Sequence, residues 1–178
     1  MKRLLITLAA GLFAVSAVQA EVGDSLISPD GKWTVYVVKG SGPGVSSGAG
    51  NYESSELWQM DSHDGNRTLL ASTHNDDDVR YLVAEFDDLR FSTDGRLVYF
   101  NTPAWGTSAA VHVVDTTTRK EHFVCPGSLL QVIHSSKGDQ LVVSQKRYHP
   151  APQYGAYWRK YLFTTDGREI RPLGEIEE

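Results

Sequence analysis

The chain has 178 residues, a single cysteine and 22 acidic against 17 basic side chains, for a net charge of −5. That is enough chain for a domain with its own core, but one thiol cannot close an internal disulfide, so packing must hold the fold together. A surface of this sign is repelled by phosphate backbones, which excludes nucleic acid as the expected partner.

Residues 1–20 read as a signal peptide. Lys2 and Arg3 form a basic start, Leu4 to Val18 an apolar run, and Val18-Gln19-Ala20 a small-x-small cleavage site that makes Glu21 the expected mature N-terminus. The alternative, an uncleaved anchor, fits less well because the run is short for a membrane span and Glu21 and Asp24 follow at once. No cysteine stands at its end to carry a lipid, so the expectation is a periplasmic or secreted soluble protein without a membrane span. Removing the leader leaves 15 basic against 22 acidic residues, a net charge of −7.

Residues 21–178 carry almost no helical periodicity. Their apolar residues come in runs of three to six, rich in Val, Tyr, Phe and Trp and broken by Asp-Gly and Ser/Thr clusters, which predicts an all-β domain of about a dozen short strands. Three units repeat, at about 25–71, 86–124 and 128–173. The first begins with Ser25-Leu26-Ile27, turns at Ser28-Pro29-Asp30-Gly31, and continues as Trp33 to Val38. A long loop follows, then Glu56 to Met60, a turn at His63-Asp64-Gly65, and Thr68 to Ala71. The second runs from Leu89-Arg90-Phe91 through Ser92-Thr93-Asp94-Gly95 to Leu97-Val98-Tyr99-Phe100, then Ala110 to Val114 and Glu121 to Val124. Strands Gln131 to Ile133, Leu141 to Val143, Trp158 to Phe163 and Glu169 to Arg171 make the third, whose first turn has Lys137 where the others have Asp. Glycine after aspartate suits such turns because it takes positive φ without a side-chain clash.

With its opening phrase Phe91-Ser92-Thr93-Asp94-Gly95-Arg96, this unit resembles the TolB-type β-propeller repeat. The resemblance implies four-stranded antiparallel blades, here three of them in a partial propeller-like stack, and a place in an envelope complex. The run Leu97-Val98-Tyr99-Phe100 agrees, since neighbours that point to opposite faces are all apolar, as in a sheet covered on both sides. A two-sheet β-sandwich is the alternative that continuous apolar runs leave open. Three blades would leave apolar faces at both ends, which two chains meeting in a homodimer could cover. Trp58 and Phe91 are read as core, and Cys125, between Val124 and Pro126, as a buried inert thiol.

In such blades the tight turns share one rim, and the second-to-third loops and inter-blade links share the other. The second rim would carry Gly40 to Ser55, Pro103 to Thr107, Tyr148 to Tyr157 and the link around His74 to Asp78. Connections usually run only ~4–6 residues, and long loops on a rigid scaffold are where binding sits. Trp105, Tyr148, His149, Tyr154 and Tyr157 supply aromatic area, and Asp76, Asp77 and Asp78 supply charge, a combination suited to a basic protein partner.

Chemistry is harder to find. Gly44-Val45-Ser46-Ser47-Gly48 matches a nucleophile-elbow pattern and would make Ser46 a hydrolase nucleophile. It lies in a Gly/Ser-rich stretch with no following helix, and is read as a flexible loop. Asp76 to Asp78 could bind Ca²⁺, but three successive carboxylates on an extended chain cannot all face one ion, so a solvated acidic loop is the plainer reading. His112 and His122, on opposing strands, offer a cross-strand pair or a Zn²⁺ site, the former being the default. The expectation is therefore a protein without catalytic residues, cofactor or metal, binding another envelope or secreted protein. An inhibitor or immunity-type protein and a subunit of an envelope complex are both compatible with it.

Overall fold

The computed structural model describes residues 21–177 apart from 41, 49 and 137; the leader read over residues 1–20 lies outside the described residues, as does Lys137. Fourteen strands form three four-stranded antiparallel sheets and one small hairpin, with no helix among the described residues. The first sheet has β1 (Glu21–Ile27), β2 (Trp33–Lys39), β5 (Ser55–Asp61) and β6 (Arg67–Ser72) in that order. β7 (Asp87–Phe91), β8 (Leu97–Ala104), β9 (Ser108–Asp115) and β10 (Glu121–Pro126) form the second, and β11 (Ser128–Ser135), β12 (Gly138–Tyr148), β13 (Ala156–Thr164) and β14 (Glu169–Glu177) the third. The hairpin β3 (Val45–Ser47) and β4 (Gly50–Tyr52) lies inside the first long loop. Every predicted strand is present, extended by one to several residues.

The opening turn repeats because its side chains close it. Ser28 donates its hydroxyl to Asp30 (2.8 Å) and accepts from the Trp33 N–H (3.0 Å). Ser92 does the same with Asp94 (2.6 Å) and the Leu97 N–H (2.8 Å). Those serine hydroxyls hold the carboxyls of Asp30 and Asp94 below their ordinary pKa. Gly31 and Gly95 complete both turns at φ of 72° and 74°. The third unit uses its acid differently. Asp139, just after its turn, accepts from the Thr93 N–H and hydroxyl, both at 2.7 Å, and so ties the second sheet to the third.

Successive sheets stack face to face, and β7 lies against both β1 and β11, so the sheets fan outward from their first strands. Val35, Val37, Leu57 and Leu70 of the first sheet meet Leu89, Val98, Phe100 and Val114 of the second, with Val83 and Phe86 of the intervening link between them. Tyr99, Val111, Val113 and Cys125, on the other face of the second sheet, meet Leu129, Leu141, Val143, Tyr161 and Phe163. The apolar run 97–100 is thus buried on both sides, as alternate neighbours serve different interfaces. Burial pushes the Cys125 thiol up to about 12, which leaves it protonated and unreactive. Asn101, buried between sheets, accepts from the Leu129 N–H (2.8 Å) and fixes the second junction.

Two expectations about the core need correction. Trp58 pairs with Tyr36 on the outward face of the first sheet, because its neighbours Leu57 and Gln59 take the inward positions. Phe91 is only partly buried at the edge of the first interface. The largest fully buried side chains are instead Tyr99, Phe86, Phe100 and Leu57.

Candidate functional site

The loop rim is built mainly where the first and second sheets meet. Hairpin β3–β4 is not a flexible Gly/Ser loop: Val45 and Tyr52 pack on Leu82 and Ala84 of the link, making a small core of their own. The Ser46 N–H donates to the Asn75 Oδ1 (3.0 Å), and the link is pinned beneath by the Thr102 hydroxyl, which accepts from the Ala84 N–H (2.8 Å). The tip of the hairpin reaches the turn of the second sheet, where the carbonyl of Gly48 lies 3.6 Å from the Cβ position of Gly106. Trp105, beside Gly106, is 42% exposed and meets the Phe123 ring edge-on at 6.4 Å.

That turn is itself a correction. Residues 103–107 were expected to form a long loop, but β8 and β9 pair through Ala104↔Ser108, leaving Trp105-Gly106-Thr107 as a tight connection. Trp105 adopts φ of 45°, which the hairpin geometry imposes.

Asp76, Asp77 and Asp78 lie on the link and so belong to this lobe. Asp76 accepts from the Asp78 N–H (2.8 Å), while Asp78 takes a forked pair of bonds from Arg80, 3.0 Å from Nε and 2.6 Å from Nη2. The Arg80 guanidinium holds the Asp78 carboxyl down to about 2. Asp78 is therefore engaged within the loop, and among the described residues no group of three or more His, Cys, Asp or Glu is arranged to hold a metal. Tyr81, 58% exposed next to Arg80, is an exposed aromatic of this lobe that reading the sequence missed. Its only signal was an aromatic residue following the acidic run.

The third sheet's loop does not join this lobe. It stands on the far side of the second sheet, and its ring contact is internal, His149 against Tyr157 at 4.7 Å. Tyr148 pairs with Ala156 and Tyr157 with Arg147, so successive register positions send the two tyrosines to opposite faces. Tyr154 is 89% exposed. Asp76 to Asp78 and Trp105 thus belong to one lobe, joined through the hairpin, whereas Tyr148, His149, Tyr154 and Tyr157 lie apart from it on the third blade, with Tyr148 and Tyr157 on opposite faces.

Ser46 sits in a strand and donates its hydroxyl to Asn51 (2.6 Å), not to a histidine. His112 is buried against Glu121 and between the rings of Phe100 and Phe123, whereas His122 is exposed in register with Val113, so the two do not form a pair.

Another acidic group lies where the first two sheets meet. Burial, with Glu85 and Asp88 nearby, raises Asp87 to about 6, and Lys39, paired with Glu85 at 3.4 Å, offsets only part of that rise. The folded form therefore holds this proton more tightly than the unfolded chain does. The stabilising contribution is full below pH ~4 and is lost as pH rises through about 6. Asp87→Asn should accordingly raise stability at pH 7.5 by ~1 kcal/mol after allowance for solvent screening, or ~3 °C in Tm, with no gain at pH 4. Thermal melts at the two pH values check this.

No protein-family model and no curated protein matches the chain. Solved structures do. The β-propeller domain of the Trilobed protease from Pyrococcus furiosus, described as having an open velcro topology, superposes with a TM-score of 0.56 at 20% identity, over 84% of this chain and 42% of that one. The fold is that of a β-propeller. TolB from Acinetobacter baumannii gives a TM-score of 0.54 at 19% identity over 89% of this chain, and an acylaminoacyl peptidase from Pyrococcus horikoshii 0.56 at 13% over 88%. The chain spans less than half the length of each, 34% of TolB and 25% of the peptidase. The three sheets are its propeller blades, and the expected partial propeller-like stack, not a sandwich, is what the chain forms.

Proposed function

We propose that this protein is a non-catalytic propeller module of the cell envelope that binds a basic protein partner through the rim lobe of its first two blades. One observation carries the reading: a hairpin and a link are locked together by their own small core, the hairpin tip reaches the blade turn, and this lobe holds Tyr81, Trp105, Asp76 and Asp77 exposed. Aromatic area on a rigid base binds at low entropic cost, and carboxylates at its edge steer a cationic partner. The leader-like residues 1–20 and the likeness to TolB support an envelope location, and the engagement of Ser46 with Asn51 speaks against a hydrolase.

The test is a quantitative pull-down from a cell-envelope extract. The double variant Tyr81→Ala/Trp105→Ala should recover the partner with at least ~30-fold weaker affinity, a loss of ~2 kcal/mol, at an unchanged melting temperature. Undiminished recovery by that variant would place binding elsewhere, and loss with Tyr148→Ala/Tyr154→Ala alone would move it to the third blade.

A further inference from the structure

Both faces of the middle blade are covered, by the first blade and the third. Each flanking blade has a second face that no other blade of the described chain covers. On the first blade it presents Ile27, Tyr36, Val38, Trp58, Met60 and Leu69, with Ile27 66% and Leu69 37% exposed. On the third it presents Val142 and Trp158, the latter 37% exposed, interspersed with Lys146 and Lys160 through the pairs Val142↔Leu162, Ser144↔Lys160 and Lys146↔Trp158, while Leu162 at the far end of the same face is already buried. A four-stranded sheet with one apolar face open to water is poorly covered, and exposed patches of this kind mark interfaces.

We propose that two copies of this chain close into a six-bladed ring, the outward face of the first blade of one copy seating on the outward face of the third blade of the other. The chain itself shows what fits such a face, since it joins blade to blade twice in this way. Charge selects the pairing. Residues 21–72 carry seven acidic and three basic side chains, while residues 128–177 carry seven basic and five acidic. On the faces themselves, Glu56 stands beside Trp58, to whose indole it is hydrogen-bonded (2.9 Å), at the end that meets Lys146 and Lys160 of the second copy, while Arg67 stands at the other end of the face, in register with Met60. First blade on first blade would instead bring two net-negative blades together. Area also suffices. Four strands spaced ~4.8 Å and five to six residues long give a face of about 350 Å², so two junctions bury about 1,400 Å² over both partners, within the range of stable interfaces. The contact is head-to-tail, and it closes after two copies because each supplies half the ring.

The experiment is light scattering on the purified protein from 1 to 100 μM. Twice the protomer mass is expected, and a monomer throughout overturns the proposal. Leu69→Lys sets a lysine against the third blade's lysines, and Trp158→Asp sets an acid against Glu56. Each alone should weaken the dimer at least ~100-fold, with an unchanged circular dichroism spectrum. An equimolar mixture should dimerise again, since one junction is then native and the other pairs Lys with Asp. Recovery in the mixture also shows both variants to be folded. If only one of the two variants dissociates the dimer, the contact is a like-with-like pairing and the ring is overturned; failure of the mixture to recover overturns it equally. The rim variants leave this readout untouched, so the ring and the partner site fail or stand separately.

Discussion

Phe100→Ala is expected to remove ~4 kcal/mol of folding stability. Phe100 is wholly inaccessible to solvent and stands at the centre of the first inter-blade core. Its ring meets Phe86 edge-on at 4.8 Å and stacks on His112 at 5.7 Å. Truncation leaves a cavity bounded by two rigid sheets that cannot close on it, which sets the cost near the upper part of the ~3–5 kcal/mol range. Relaxation is further limited because Phe86 belongs to a link held at both ends, by Thr102 and by the β-bridge His74↔Val83. Urea unfolding of the variant measures the loss directly. Trp58→Ala provides the internal comparison. Its ring lies on the outward face, so the monomer should lose less than ~1.5 kcal/mol despite the larger side chain. Equal losses at the two positions would contradict the assignment of faces.

That comparison also shows what the residues could and could not reveal. Strands and turns were legible because each depends on local chemistry: the Ser-x-Asp-Gly phrase closes its turn through the serine hydroxyl, and the apolar run 97–100 announces two covered faces. Which face of the first blade is covered was not legible. Val35 to Val38 is apolar on both sides, and only the position of the second blade makes Val35 and Val37 inner and Tyr36 and Val38 outer. The rim was legible in outline and wrong in detail. Trp105 reads as part of a loop from Pro103 to Thr107, yet Pro103 pairs in register with Ala109 near the end of β8. Separation of the Tyr148–Tyr157 loop from the acidic link follows from the order of blades around the stack, which local sequence does not encode. The departure at Lys137 had a counterpart two residues on, in the bond of Asp139 across to Thr93.

Gly127→Ala should be almost as damaging as loss of the Phe100 ring, at ~3 kcal/mol or more, although it adds a single methyl group. Gly127 alone connects β10 to β11, where the chain crosses from the second blade to the third. Its φ is 114°, a conformation that costs an L-residue ~1–3 kcal/mol on its own. A Cβ there would lie 2.5 Å from the Ser144 carbonyl oxygen and 2.8 Å from both Gln145 Cγ and Val143 Cγ1. Ser144 and Val143 are central residues of β12, so relieving the overlap means moving the third blade away from the second. Its own N–H is committed to the Ala109 carbonyl (2.7 Å), which resists rotation of the linker. Gly31→Ala separates the two contributions. Gly31 also has positive φ, at 72°, but nothing lies within 4 Å of its Cβ position, so its substitution carries backbone strain alone and should cost ~1 kcal/mol. A Gly127→Ala variant no less stable than Gly31→Ala would mean that the second and third blades are not held at this spacing. In that event the half-ring geometry on which the two-copy ring depends would fail with it.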